Sequence, residues 1–125
     1  MNKKSLIPFL ATFLFFQCTS EKTALVNEFT DLVHNLDLEN LEKITTENTI
    51  FYLRLATEPI LVYGDEVAKE QLMEIASSVN CNKKEEGFLC RYLDENGIQQ
   101  RFNISFVNSQ SQKETLLIDI DELNF

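Results

Sequence analysis

FLCRYLDENGIQQRFNISFV, residues 88–107, decides the fold. Two β-prone runs, Phe88 to Leu93 and Ile98 to Val107, flank Asp94-Glu95-Asn96-Gly97. Asn-Gly between such runs predicts a hairpin, because a type I′ turn needs positive φ at both central residues. Ile98, Phe102, Ile104 and Phe106 alternate with Gln99, Arg101, Asn103 and Ser105, the period of a half-buried strand. A two-residue loop at Asn96-Gly97 puts Leu89 and Leu93 on the Phe102/Ile104 core face. It puts Phe88, Cys90 and Tyr92 on a half-wet face with Arg101, Asn103 and Ser105. Thr115 to Asp121 adds a strand with Leu116, Ile118 and Ile120 inward and Asp119 and Asp121 outward, after a polar loop from Asn108 to Lys113.

Upstream the period changes to that of helices. Leu25, Val26, Phe29, Leu32, Val33 and Leu36 form one stripe at about 100° per residue. Asp37 is an N-cap for a short second helix with Leu38, Leu41 and Ile44, and Leu36 and Leu41 have the spacing of a hydrophobic staple. Thr49 to Leu55 and Ile60 to Tyr63 are β-rich, and Pro59 separates them as two short strand segments. Asp65 opens a helix to about Val79, with Val67, Ala68, Leu72, Ile75, Ala76 and Val79 inward and acidic residues at its start. The expected class is α+β, with N-terminal helices packed on one face of a curved antiparallel sheet as a cone or roll.

The first eighteen residues carry an address. Lys3 and Lys4 precede Ser5 to Phe16, twelve almost uniformly apolar residues. That is too short for a span of about 20 residues but matches a signal-peptide h-region. Leu14-Phe15-Phe16-Gln17-Cys18 resembles a bacterial lipobox, with Phe15 and Gln17 where the common pattern has an aliphatic and a small residue. This permissive form is similar to that of spirochaete or Bacteroidetes lipoproteins. The resemblance implies lipidation of Cys18, a signal peptide over 1–17, a short tether over 18–23 and a single domain over 24–125. It also implies a location in the cell envelope, at the outer membrane if Thr19 in the second mature position acts as it does in enterobacteria. A plainly cleaved signal peptide and an uncleaved short anchor are the alternatives.

The chain has 125 residues and a net charge of −9. With Lys3 and Lys4 removed, 20 acidic residues face 9 basic ones and the charge becomes −11. Such a balance excludes nucleic acid as a partner and anionic lipid bound through a basic patch. Cys81 and Cys90 remain as an even pair for an oxidising compartment, a structural disulfide closing about ten residues. Two free buried thiols are the alternative.

Chemistry is harder to find. His34, the only histidine, falls opposite the first helix's apolar stripe, the place of a solvated residue without a catalytic partner. Asp119, Asp121 and Glu122 lack the Gly-punctuated spacing of a calcium loop, and no Gly-rich phosphate loop exists. No catalytic set, metal site or cofactor is expected. Arg91, Tyr92 and Arg101 lie close on the hairpin's mixed face, as a cation–π contact or an interaction patch. A terminal Phe125 is also found in outer-membrane barrels, but so few strands close no barrel.

The element order resembles the NTF2-like, or cystatin-like, cone over about Leu25 to Ile120. That resemblance implies a scaffold able to hold a small apolar ligand in its mouth. The leading expectation is a membrane-anchored, non-catalytic binding or scaffolding domain facing an envelope or host protein. The alternative is a small-ligand or enzymatic pocket, in which Tyr52, Tyr63 or His34 with a carboxylate would take part.

Overall fold

The computed structural model describes residues 21–85, 87–109 and 115–121. The signal peptide, Cys18, Glu122 and Phe125 lie outside them. The described residues form an α+β arrangement: helices α1 (21–34), α2 (Leu38–Ile44), α3 (Glu47–Tyr63) and α4 (Glu66–Ser77), then strands β1 (Asn80–Lys84), β2 (Gly87–Leu93), β3 (Gln99–Asn108) and β4 (Leu116–Asp121). The strands make an open antiparallel sheet in the order β1-β2-β3-β4.

The first two helices follow the sequence closely. Val26, Phe29 and Val33 are buried, with Leu25, Leu32 and Leu36 packed beside them. α1 ends in a Schellman turn: Leu36 N–H donates to the Val33 carbonyl and Asp37 N–H to the Leu32 carbonyl. Leu36 holds the left-handed φ of 51° that glycine usually takes there, and its side chain packs on the core. Asp37 then caps α2, accepting from the Asn40 N–H.

The two strand segments expected between Thr49 and Tyr63 are instead one continuous helix, α3. Thr46 caps it, accepting from the Thr49 N–H, and Glu47 sits in the first turn. Its inward positions, Thr49, Ile50, Leu53, Thr57 and Ile60, recur at helical spacing. Its outward positions, Phe51, Tyr52, Leu55, Val62 and Tyr63, are apolar too, so the inward stripe has no polar background. Pro59 lies inside the helix on its exposed side, as does Leu55, whose carbonyl loses its N–H partner where water reaches it. Arg54 pairs with Glu58 one turn on (2.7 Å) and with Glu42 of α2 (3.2 Å). α4 starts at its Asp65 cap, and buries Leu72 and Ala76 while Val67, expected inward, is 62% exposed.

The hairpin register differs from expectation by one residue. Asp94 N–H donates to the Ile98 carbonyl, Gly97 N–H to the Asp94 carbonyl, and Gly97 has φ 75°. This is a three-residue loop with a type I turn and a left-handed glycine, not a two-residue I′ turn. Leu93 therefore pairs with Gln99, Cys90 with Phe102 and Phe88 with Ile104. A one-residue slip exchanges the faces of a strand. Phe88, Cys90 and Tyr92 share the inner face with Phe102 and Ile104, while Leu93 and a still-buried Leu89 alternate onto the face of Arg91 and Arg101.

β1 has no apolar pattern to announce it, being Asn-Cys-Asn-Lys-Lys. Cys81 is the register partner of Cys90, and the two form a disulfide across the β1–β2 ladder with Cα atoms 4.0 Å apart. One core cluster joins Val26, Phe29 and Val33 to Leu41, Ile50, Ala76 and Val79, and to Phe88, Cys90, Phe102, Ile104, Ile118 and Ile120 of the sheet.

The outer edge of β4 is covered. Thr45 makes a parallel bridge to Ile118, and Thr46 N–H donates to the Ile118 carbonyl (2.9 Å). Thr49 Oγ1, almost fully buried, accepts the Ile120 N–H (3.0 Å). Asp119 alternates with the inward Ile118 and Ile120 as expected, and accepts from Thr46 Oγ1 (2.7 Å) and Thr49 Oγ1 (3.3 Å). Thr49→Val keeps the shape but leaves the Ile120 N–H buried without an acceptor. It should cost about 1–3 kcal/mol in denaturant unfolding, and a change near zero would show that the threonine does not hold this edge.

Candidate functional site

Between helices and sheet lies a cavity of about 560 Å³. Phe29, Val33 and Leu36 reach it from α1 and its C-terminal turn, and Leu38 and Leu41 from α2. Leu53, Ala56, Thr57 and Ile60 come from the inward side of α3, and Leu72, Ile75 and Ala76 from α4. Val79, Phe102 and Ile120 complete an apolar wall. Thr57 is consistent with that wall, because its hydroxyl donates to the Leu53 carbonyl (2.7 Å).

Among the described residues the remaining polar lining is Tyr92, Asp94, Glu95 and Gln100, at and beside the β2–β3 turn. Glu95 is exposed, so the cavity reaches solvent there. The turn is firmly built. Asp94 Oδ1 accepts from the N–H groups of Asn96 and Ile98 (both 2.9 Å), and Oδ2 accepts from Gln100 Nε2 (3.0 Å). The Ile98 N–H first, then the Gln100 amide and Asn96 N–H, hold the Asp94 carboxyl below its ordinary pKa, so it is ionised at neutral pH. Burial first, then the nearby Asp94 charge, raises the Tyr92 phenol, so it stays neutral. Tyr92 also packs against Phe102, with ring centroids 6.0 Å apart. Ser78, at the end of α4, accepts the Leu93 N–H (2.9 Å) and donates to the Ile75 carbonyl, tying the turn's base to the helix.

Apart from Tyr92, the residues singled out from sequence fall elsewhere. Tyr52 and Tyr63 are exposed on α3, and neither lines the cavity. Phe51 is also exposed. His34 is not a solvated surface residue: it is half-buried, and its Nε2–H donates to the Val79 carbonyl (2.8 Å), fastening α1 to the start of β1. Arg91 and Arg101 are direct register partners on the outer face, where Asn80 extends their row. Tyr92 points to the opposite face, so the expected Tyr92–Arg101 stacking is replaced by Tyr92–Phe102. A smaller polar cleft of about 270 Å³ runs beside Arg91, lined also by Asn80, Asn82 and Gln99.

Among the described residues no group of three His, Cys, Asp or Glu converges as metal ligands, and no helix is long and apolar enough to cross a membrane. The sequence pattern marks Asp94 only as part of a turn and Gln100 only as part of a strand. The one available signal was Asp at the first position of a turn, three residues before glycine, where its side chain caps the following N–H groups.

With this geometry in hand, comparison with known families, curated proteins and solved structures finds no match to the chain.

Proposed function

We propose that the chain is an envelope lipoprotein anchored through Cys18, whose domain binds a small apolar ligand without catalysis. The observation that carries this reading is the apolar cavity with its polar residues gathered at one end. Its volume lies within the usual range for small-molecule sites, roughly 300–1,000 Å³. A well-packed interior has few voids larger than a water molecule. We read the helices and sheet together as a cone similar in plan to the NTF2-like fold, with its mouth at the β2–β3 turn. No nucleophile–base pair faces the cavity among the described residues. Tyr92 and Gln100 suit recognition of a polar end by hydrogen bonding. Lipidation of Cys18 would hold this binding domain at the outer membrane, since two or more acyl chains anchor stably.

A second reading is a docking domain for an envelope or host protein. It is supported by the apolar outward side of α3, where Phe51, Leu55 and Val62 are each more than half exposed.

One experiment tests the anchor and the ligand together. The full chain is exported in a bacterial host, extracted in mild detergent and weighed by native mass spectrometry. The expected wild-type species starts at Cys18, carries acyl groups and keeps a non-covalent adduct that is lost on collisional heating. Ala56→Phe places a ring in the cavity. It should abolish the adduct while keeping the melting temperature within a few degrees, because the space is there to receive it. Cys18→Ala should lose the acyl mass and keep the adduct. Equal adduct occupancy in wild type and Ala56→Phe, or none even after incubation with apolar compounds, would overturn the ligand reading. Unchanged processing of Cys18→Ala would overturn the anchor.

A further inference from the structure

We propose that the cavity selects an apolar molecule ending in a protonated amine. The proposal rests on the cavity being a ligand site and names the chemistry of what fills it. Both charged side chains at the mouth, Asp94 and Glu95, are carboxylates, and among the described residues no Lys, Arg or His lines the cavity. The two nearest arginines of the hairpin, Arg91 and Arg101, belong to the outer face of the sheet and do not offset them.

Asp94 is placed for this role by its own turn. Oδ1 is occupied by the N–H groups of Asn96 and Ile98, whereas Oδ2 receives one bond, from Gln100. A carboxylate oxygen has two lone pairs, so Oδ2 keeps acceptor capacity for a further donor. Three hydrogen bonds fix the group before any ligand arrives, so little ordering is needed on binding. An ammonium there donates a charge-assisted hydrogen bond to Asp94 and is attracted by Glu95. A carboxylate-ended ligand of the same length meets two like charges at the mouth. A fatty alcohol keeps the hydrogen bond without the charge and falls between them.

The test compares decylamine, 1-decanol and decanoate as displacers of Nile red, a neutral dye, from the full-length protein. The chains are equal, so differences report the head group. Decylamine is expected to displace the dye at a concentration about tenfold or more below that of decanoate, with decanol between. Asp94→Asn and Glu95→Gln should each shrink that preference and leave decanol unchanged, which shows that the cavity is intact. Glu70→Gln removes the same charge from the exposed side of α4 and should leave the preference as it was. Decanoate binding as tightly as decylamine, or Glu70→Gln acting like Asp94→Asn, would overturn the proposal while the cavity stands as a ligand site. Failure of the dye and all three displacers to bind would overturn the reading beneath it.

Discussion

Phe29→Ala should lower the stability of the domain by about 3–5 kcal/mol, the usual cost of truncating a buried phenylalanine. Phe29 is 1% exposed, meets Phe102 edge-on at 6.5 Å, and stands at the inner wall of the cavity. Its removal deletes apolar burial and joins new space to a cavity already present, so collapse of the walls can recover little. In a domain of this size each kcal/mol moves the melting temperature by roughly 4–8 °C. The expected fall is therefore about 12 °C or more by circular dichroism. A fall under about 4 °C would mean that α1 contributes little to the core. Adding an apolar ligand that fills the enlarged space should restore part of the loss, since ligands that bind only the folded state stabilise it by mass action.

Reduction of Cys81–Cys90 should cost about 2–3 kcal/mol by the loop-entropy estimate. That corresponds to a melting temperature lower by roughly 8–24 °C in the presence of reductant. The effect should be concentrated on β1. Only Cys81 of that strand is even partly buried, so its ladder to β2 and the disulfide hold it almost alone. Hydrogen exchange should show the β1 amides losing protection first, while β3 and β4 keep theirs. An unchanged melting temperature, with β1 still protected, would show the bridge to be dispensable. The Cys81→Ala/Cys90→Ala pair should reproduce the reduced state and separates bridge loss from side effects of the reductant.

Several elements could be read from residue spacing because a single face of each is apolar. The stripe of α1, the Asp37 and Asp65 caps, and the alternation in β3 and β4 all met this condition. α3 did not: Phe51, Tyr52, Leu55 and Tyr63 made its outer side as apolar as its inner, and Thr49 to Leu55 looked β-prone. Tertiary contacts at Thr46, Thr49 and Ile50 overrode that local preference. The hairpin was recognised but its register was not, since Asn-Gly serves two loop lengths and one residue separates them. β1 was missed because Asn, Cys and Lys carry no alternation, although the expected Cys81–Cys90 pairing already implied a neighbour for β2. The cavity was illegible for a different reason. Its wall is assembled from all four helices and the sheet, and empty space between distant segments leaves no mark on any one of them.

The covered edge of β4 has a further consequence for how copies of this chain can meet. Growth of a fibre by strand addition requires two free edges, one to receive and one to offer. Here Thr45, Thr46 and Thr49 occupy the outer hydrogen-bonding positions of β4 at Ile118 and Ile120. Among the described residues β1 is the strand with no further neighbour on its outer edge, and two such edges meeting across a twofold axis would satisfy each other. Edge-to-edge association through these strands would therefore end at a pair, with the threonines that fasten α3 to the sheet as a chain stopper.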